Sequence, residues 1–241
     1  MRIGLLGYGK MGRTIEQLAI ARGHEIAWTI QQENQHLLNT ALLQQADVVI
    51  EFTRPDAAES NIRRCLEAGV PVVSGTTGWQ SQLPVVQELC RETGGSMIWA
   101  SNFSVGVNLF FALNRYLATL MAQRPEYEPS ATEIHHIHKL DAPSGTAVTL
   151  LQGILSQITH KSDWHLLGES DQVQDDAIPV KAIREGEVPG THSILWSSAI
   201  DEIEISHRAH SRVGFAGGAV LAAEWLPGKK GCFTMADVLG I

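Results

Sequence analysis

The chain has 241 residues, 44% of them hydrophobic and 18% charged, with a formal net charge of -8. That balance supports one large or two modest packed cores and argues against disorder. Its acidity excludes nucleic acid or an anionic membrane as a partner bound through the overall field, and no apolar run is long enough to span a bilayer.

The opening residues 1–6 are too short for a signal peptide and run directly into a glycine-rich turn. Cys65, Cys90 and Cys232 lack CxxC spacing. They point to a reducing, cytoplasmic setting, with neither a disulfide framework nor a zinc site. Residues 3–6 read as a strand, and Gly7-Tyr8-Gly9-Lys10-Met11-Gly12 as the turn after it. Met11, Ile15, Leu18 and Ala19 then fall at helical spacing, and Gly23 supplies a stop for a helix over 11–21. A strand over 24–30 and a polar-faced helix over 36–45 follow. Next come a buried strand over 48–52 and a helix over 55–68, opened by Pro55 and closed by Gly69. A strand over 70–74, a helix over 82–92 and a strand over 96–100 complete this part. Strands alternating with helices predict a parallel sheet covered on both faces.

The pattern changes near residue 104. A helix is expected over 105–121, a strand over 132–136, a helix over 144–158 and an exposed polar loop over 159–176. The runs 179–183, 191–196 and 203–207 alternate as an antiparallel sheet with one wet face would, and 216–226 returns to helix. The fold class expected from this pattern is α/β, a covered parallel sheet followed by a part with alternating strands and a return to helix.

Gly7, Gly9 and Gly12 form G-x-G-x-x-G between a strand and a helix. The first glycine allows the tight turn, the second lets backbone approach a pyrophosphate, and the third lets helix and strand pack closely. At the end of the second strand, where an acid normally bonds the ribose hydroxyls, Gln31 stands instead, with Glu33 two residues on and no arginine nearby in sequence. NADH and NADPH both remain open as the cofactor.

The stretch from Glu133 to Ala147 carries His135, His136, His138 and Lys139, then Pro143, Ser144, Gly145 and Thr146 at a helix start. A helix N-terminus with small residues offers backbone N–H groups to a carboxylate, Lys139 adds charge, and histidines exchange protons near neutrality. His136 and His138 could share a strand face, but no third well-spaced ligand accompanies them, so no metal is expected. In an ideal strand His135 and Lys139 share one face and His136 takes the other. All three meet one ligand only if the strand ends near His136, as Asp141 and Pro143 suggest.

The block H-H-x-x-K-x-D-x-P-S-G-T from His135 to Thr146 resembles the signature of the 4-hydroxy-tetrahydrodipicolinate (dihydrodipicolinate) reductase family. The resemblance extends to Glu51-Phe52-Thr53-Arg54-Pro55, Ser74-Gly75-Thr76-Thr77-Gly78 and Ala100-Ser101-Asn102-Phe103-Ser104 running on to Asn108. It continues through Arg184-Glu185-Gly186, Gly190-Thr191-His192 and His207-Arg208-Ala209-His210-Ser211-Arg212. It implies an α/β fold: a Rossmann dinucleotide-binding domain of residues 1–104 completed by 213–241, and an inserted mixed α+β substrate and oligomerisation domain of 105–212. It also implies NADH- or NADPH-dependent reduction of a small cyclic dicarboxylate in the diaminopimelate–lysine pathway, by a cytoplasmic homotetramer.

The resemblance assigns His135 as the catalytic acid/base and Lys139 as proton donor or electrostatic partner of developing charge. His136, Ser144, Gly145 and Thr146 would bind substrate. Gly7, Tyr8, Gly9, Lys10, Met11, Gly12 and Gln31 would hold the dinucleotide. Gly75, Thr76 and Thr77, with Ala100, Ser101, Asn102 and Phe103, would line the nicotinamide side. The missing acid at Gln31 is a departure, and the chain is shorter than is usual for the family.

Overall fold

A computed structural model describes residues 1–168, 175–211 and 213–241. In chain order these form β1 (Arg2–Leu6), α1 (Lys10–Ala21), β2 (Glu25–Ile30), α2 (Thr40–Leu43), β3 (Val48–Glu51), α3 (Pro55–Glu67), β4 (Val72–Ser74), α4 (Leu83–Thr93) and β5 (Ser96–Trp99). Then follow α5 (Val105–Met121), β6 (Glu128–His135), α6 (Gly145–Leu155), β7 (Asp163–Leu166), β8 (Ala177–Arg184), β9 (Thr191–Ser197) and β10 (Glu202–Arg208). The chain closes with α7 (Val213–Trp225), β11 (Gly231–Phe233) and α8 (Met235–Leu239). It divides into two compact units, Met1–Val105 with Val213–Ile241, and Gly106–Arg212.

The first unit is a six-stranded sheet in the order β11-β5-β4-β3-β1-β2, parallel throughout. Successive side chains of a strand point to opposite faces, so both faces are apolar. Leu6, Val49, Val72 and Met97 pack with Ile62, Cys65, Val86 and Cys90 from α3 and α4. Leu5, Ile50, Val73 and Ile98 pack with Ile15 and Ala19 of α1, Ala219 and Ala222 of α7, and Met235 of α8. The C-terminal segment thus supplies one buried helix and an edge strand. At Gly218 the chain passes so close that a Cβ would stand 1.7 Å from the Phe103 carbonyl oxygen.

The second unit is a five-stranded sheet in the order β10-β9-β6-β8-β7. Its α5 and α6 cover one face, where Phe110, Leu117, Leu151 and Ile154 pack on Ile178, Val180, Ile194 and Trp196.

Three expectations need correction. The sheet of this unit is mixed: β8 runs parallel to both β6 and β7. Side-chain alternation reports which face is wet, not strand direction. The expected loop over 159–176 holds the edge strand β7, whose Trp164 and Leu166 pack against the core; residues 169–174 of that loop, like Arg212, lie outside the described residues. The expected helix over 36–45 is a 3-10 turn, Gln32–Leu37, followed by the short α2. Asn39 separates them, because its side chain accepts the Leu42 N–H at 3.0 Å and caps a new helix.

Candidate active site

In the first unit the glycine turn has the geometry its spacing implies. Gly7 takes φ +91°, and a Cβ there would lie 1.9 Å from the Phe52 carbonyl oxygen. A Cβ at Gly12 would lie 2.2 Å from the Gly7 carbonyl oxygen, whereas Gly9 has nothing within 4 Å. Two glycines are therefore forced by backbone packing, and the third leaves an open approach. The turn borders a pocket of about 600 Å³ lined by Gly7, Tyr8, Gly9, Gln31, Thr53, Arg54 and Arg64 among others. Tyr8 is braced by a hydrogen bond to Glu16 and by Arg13, whose guanidinium carbon stands 4.8 Å from the ring centroid. Gln31 lies at the end of β2, with its N–H donating to Asn34 at 2.7 Å.

The structure brings Arg54 and Arg64 to this pocket, which proximity along the chain to Gln31 does not reveal. Arg54 reaches it from the residue before α3 and Arg64 from the last turn of α3. Lys10 and Met11 open α1 beside the turn.

A buried carboxylate organises the neighbouring loops. Glu51 is 0% exposed and accepts from Ser74 Oγ at 2.6 Å, Thr76 Oγ1 at 2.8 Å, the Thr53 N–H at 3.0 Å and the Thr53 hydroxyl. The Thr76 carbonyl accepts the indole N–H groups of Trp79 and Trp99 at 2.8 and 3.0 Å. Gly75 and Thr76 are therefore held in place, with Thr77 exposed beside them. Ala100, Ser101, Asn102 and Phe103 follow β5; Phe103 is buried and packs near Phe52, while Asn102 accepts the Ser104 N–H at 2.9 Å.

In the second unit β6 ends at His135, so strand alternation does not govern where His136 and Lys139 stand. The Glu185 N–H donates to the His135 carbonyl at 2.8 Å and the Ile137 N–H to Gly186 at 3.1 Å, carrying the pairing with the β8 side just past the strand end, and the Lys139 N–H donates to the His136 carbonyl at 3.1 Å, turning the chain. His135 is buried, His136 half-buried and Lys139 partly exposed with its Nζ bonded to both Asp141 oxygens at 2.7 and 2.8 Å. Ser144 caps α6, its Oγ accepting the Ala147 N–H at 3.2 Å. Gly145 stands exposed with nothing within 4 Å of where a Cβ would be, and Thr146 is half-buried.

Three residues at this end of the sheet escaped the sequence reading as site members. Glu133, 1% exposed, accepts the Ser144 N–H at 3.0 Å and Arg184 Nη2 at 3.1 Å. His192 Nε2 lies 3.1 Å from Ser144 Oγ, and its ring meets that of His135 edge-on at 5.0 Å. Arg184 also donates to the carbonyls of Lys139 at 3.2 Å and Asp141 at 2.6 Å. Glu133 was within reach of the sequence, since strand alternation places it two residues from His135 on the same face.

Glu133, His135 and His192 put their ligand atoms within 4.8 Å of one another. The set does not suit a divalent cation, because Arg184 already neutralises the carboxylate and the Ser144 amide occupies its second oxygen.

Burial lowers His192 to about 4, helped by His135, His207 and Lys139 and opposed by Glu133. Burial likewise lowers His135, with Glu133 opposing and Lys139 and Arg184 assisting, and burial lowers His207. Burial alone would raise the Glu133 carboxyl. Ser144, Arg184 and His135 outweigh it and hold the group below the usual carboxylate range.

A pH dependence of stability follows. A histidine with a folded pKa below its unfolded value binds fewer protons when folded, so stability is full above about pH 6.5 and falls as pH drops toward 4. His192 alone contributes a loss of about 2 kcal/mol between pH 7.5 and 5. Glu133 adds to the loss only at lower pH, since its window opens below the usual carboxylate value. Denaturant midpoints of the β6–β9 core should fall across that range, and His192→Gln should flatten the slope; an unchanged slope in the variant would refute the assignment.

The N-terminal family model of dihydrodipicolinate reductase matches residues 1–103 and the C-terminal model matches 106–239. This chain belongs to the dihydrodipicolinate reductase family. A relative named 4-hydroxy-tetrahydrodipicolinate reductase, from Christiangramia forsetii, is 48% identical over 99% of this chain and 98% of its own. Another of that name, from Ralstonia nicotianae, is 39% identical over 83% of this chain and 76% of its own. A solved dipicolinate-bound dihydrodipicolinate reductase from a Paenisporosarcina species shares the fold, with TM-score 0.77 and 23% identity, covering 98% of each chain. The chain is thus an oxidoreductase, and the family's reaction is the reduction of 4-hydroxy-tetrahydrodipicolinate in lysine biosynthesis. No described helix is long and apolar enough to cross a membrane.

Proposed function

We propose that the first unit holds a nicotinamide dinucleotide and that the second binds and protonates the cyclic dicarboxylate. The observation that carries the reading is the union of the His135–Lys139 turn with the capped start of α6 through Glu133 and Arg184. The open approach at Gly9, backed by the two backbone-forced glycines, fits a pyrophosphate, and the adjoining pocket fits the adenosine end. Gly75 to Thr77 and Ala100 to Phe103 would line the nicotinamide side. When bound, the nicotinamide supplies the hydride.

The remaining work belongs to side chains of the second unit. Gly145 and Thr146 at the α6 N-terminus, with Ser144 and His136, hold a substrate carboxylate. Lys139 balances negative charge that develops on the ring, exchanging its Asp141 partner for substrate. His135 moves the proton. We further propose residues 105–212 as the oligomerisation domain of a homotetramer.

Coenzyme choice follows from the adenosine pocket. Arg54 and Arg64 line it against one acid, Glu33, and Gln31 stands where the ribose-binding acid normally would, a balance that favours a 2′-phosphate. NADPH should be used with a KM about tenfold below that for NADH, a difference of about 1.4 kcal/mol. The joint change Arg54→Ala and Arg64→Ala should abolish the preference. The test is a coupled assay on the dicarboxylate formed by the preceding synthase, run with each coenzyme. No turnover with either would sink the functional reading, and an intact preference in the double variant would sink the coenzyme assignment.

A further inference from the structure

The proposed reaction gives no step of its own to the Glu133 carboxylate, although it meets Ser144, Arg184, His135 and His192. A carboxylate 1% exposed on a central strand is costly unless fully engaged. Each oxygen of Glu133 reaches a different segment. Oε2 accepts the Ser144 N–H at 3.0 Å and lies 3.7 Å from both His135 Nδ1 and His192 Nε2. Oε1 faces Arg184, whose guanidinium then holds the carbonyls of Lys139 and Asp141. One carboxylate therefore ties the start of α6, the turn bearing Lys139, and two imidazoles.

The His135 ring has a defined orientation. Nδ1 points to the carboxylate and is buried without a hydrogen bond. The opposite nitrogen faces Gly190, where a Cβ would stand 3.1 Å from Nε2. The absence of a side chain at Gly190 leaves Nε2 uncrowded, while the edge-on His192 ring flanks the imidazole.

We infer that Glu133 is a positioning residue for proton transfer, holding His135 with Nδ1–H toward the carboxylate and Nε2 toward the substrate, with His192 as the flank that keeps the ring from turning. The inference rests on the reading of His135 as the acid/base. In the step, the proton on Nε2 passes to the substrate, the N–H electron pair stays on Nε2, and the proton on Nδ1 remains facing Glu133. Water returns the lost proton. The gap at Nδ1 closes toward a hydrogen bond when the ring is charged, as catalytic contacts do on ligand binding.

The charged groups facing His135 are Glu133 on its own strand, Arg184 on β8, His192 on β9, and Lys139 and Asp141 in the turn; His207 on β10 faces His192. Removing the negative charge of Glu133 leaves Lys139 and Arg184 opposed only by Asp141. His135 then holds its proton less tightly.

The test uses the full chain with Glu133→Gln. The His135 ring is followed by nitrogen-15 NMR, assigned by its loss in His135→Gln, alongside steady-state kinetics with the dicarboxylate. The wild-type neutral ring should be the Nδ1–H form. In Glu133→Gln it should become a mixture of tautomers and titrate at lower pH, kcat should fall roughly 100-fold with the pH limb moved the same way, and KM for the coenzyme should stay within about twofold. If that variant does not fold, Glu133→Asp, which keeps the charge and withdraws it by one methylene, should show the same loss of tautomer in smaller degree. An unchanged tautomer, or kcat within about threefold of wild type, overturns the proposal. The ring titration needs no turnover, so a wild-type chain that fails to reduce the dicarboxylate would count against the function and leave the tautomer result to judge Glu133.

Discussion

His135→Gln should lower kcat for the dicarboxylate roughly 10²–10³-fold, the share of rate that a positioned acid usually supplies. The Kd for NADPH should stay within about twofold, because the glycine turn belongs to the other unit. Glutamine fills a similar volume and keeps a hydrogen-bonding end, so the fold should survive; the ring it replaces is 7% exposed and packs against His192. The diagnostic is the pH profile. In the wild type one limb reports a histidine held down by burial, and in His135→Gln that limb should vanish with the remaining activity flat across it. Near-normal kcat, or a residual limb of the same position, would move the acid/base role elsewhere, with Lys139 and His192 as the next residues to change. Lys139 is separable from His135 in the same assay, since its Asp141 partner makes it a source of charge and its loss should raise KM for the dicarboxylate as well as lower kcat.

Gly12→Ala should disable the first unit's ligand end. The added methyl would start 2.2 Å from the Gly7 carbonyl oxygen, a backbone atom that can move only if the turn or α1 moves. Either movement shifts the α1 N-terminus that is proposed to face the pyrophosphate. The Kd for NADPH should rise at least about 30-fold, or about 2 kcal/mol. The melting temperature should fall as well, because α1 carries Ile15 and Ala19 into the core beneath the sheet. Gly9→Ala is the control. Nothing lies within 4 Å of its Cβ position, so it should leave stability intact and weaken only the dinucleotide complex. Equal melting losses in the two variants would mean that the clash at Gly12 is not what shapes the turn.

Local patterns carried the first unit because its elements announce themselves. The buried run Val48 to Glu51 is continuous, Pro55 opens α3, and Gly94 closes α4 in a left-handed conformation. The histidine–lysine segment was legible for a similar reason: its chemistry is concentrated in the twelve consecutive positions from His135 to Thr146. What escaped was decided by partners distant in sequence. Strand β11 has three residues and exists by pairing with β5, more than a hundred positions earlier. The parallel register of β8 against β6 leaves no trace in alternation. Arg184 and His192 join the site only because β8 and β9 both lie beside β6. Arg64 reaches the pocket beside the glycine turn through the length of α3, although it stands far from Gln31 in the chain.

The C-terminal segment carries a consequence for biogenesis. Helix α7 lies in the core of the first unit and β11 forms the outer edge of its sheet, yet both are made after the whole second unit. While the ribosome is still translating residues 106–212, strands β1 to β5 must wait with one apolar face covered by α1 alone and the β5 edge unpaired. The second unit, by contrast, has every strand and both covering helices in hand once β10 emerges. The later-numbered half is therefore the first able to close, and chaperone demand should fall on the half made first.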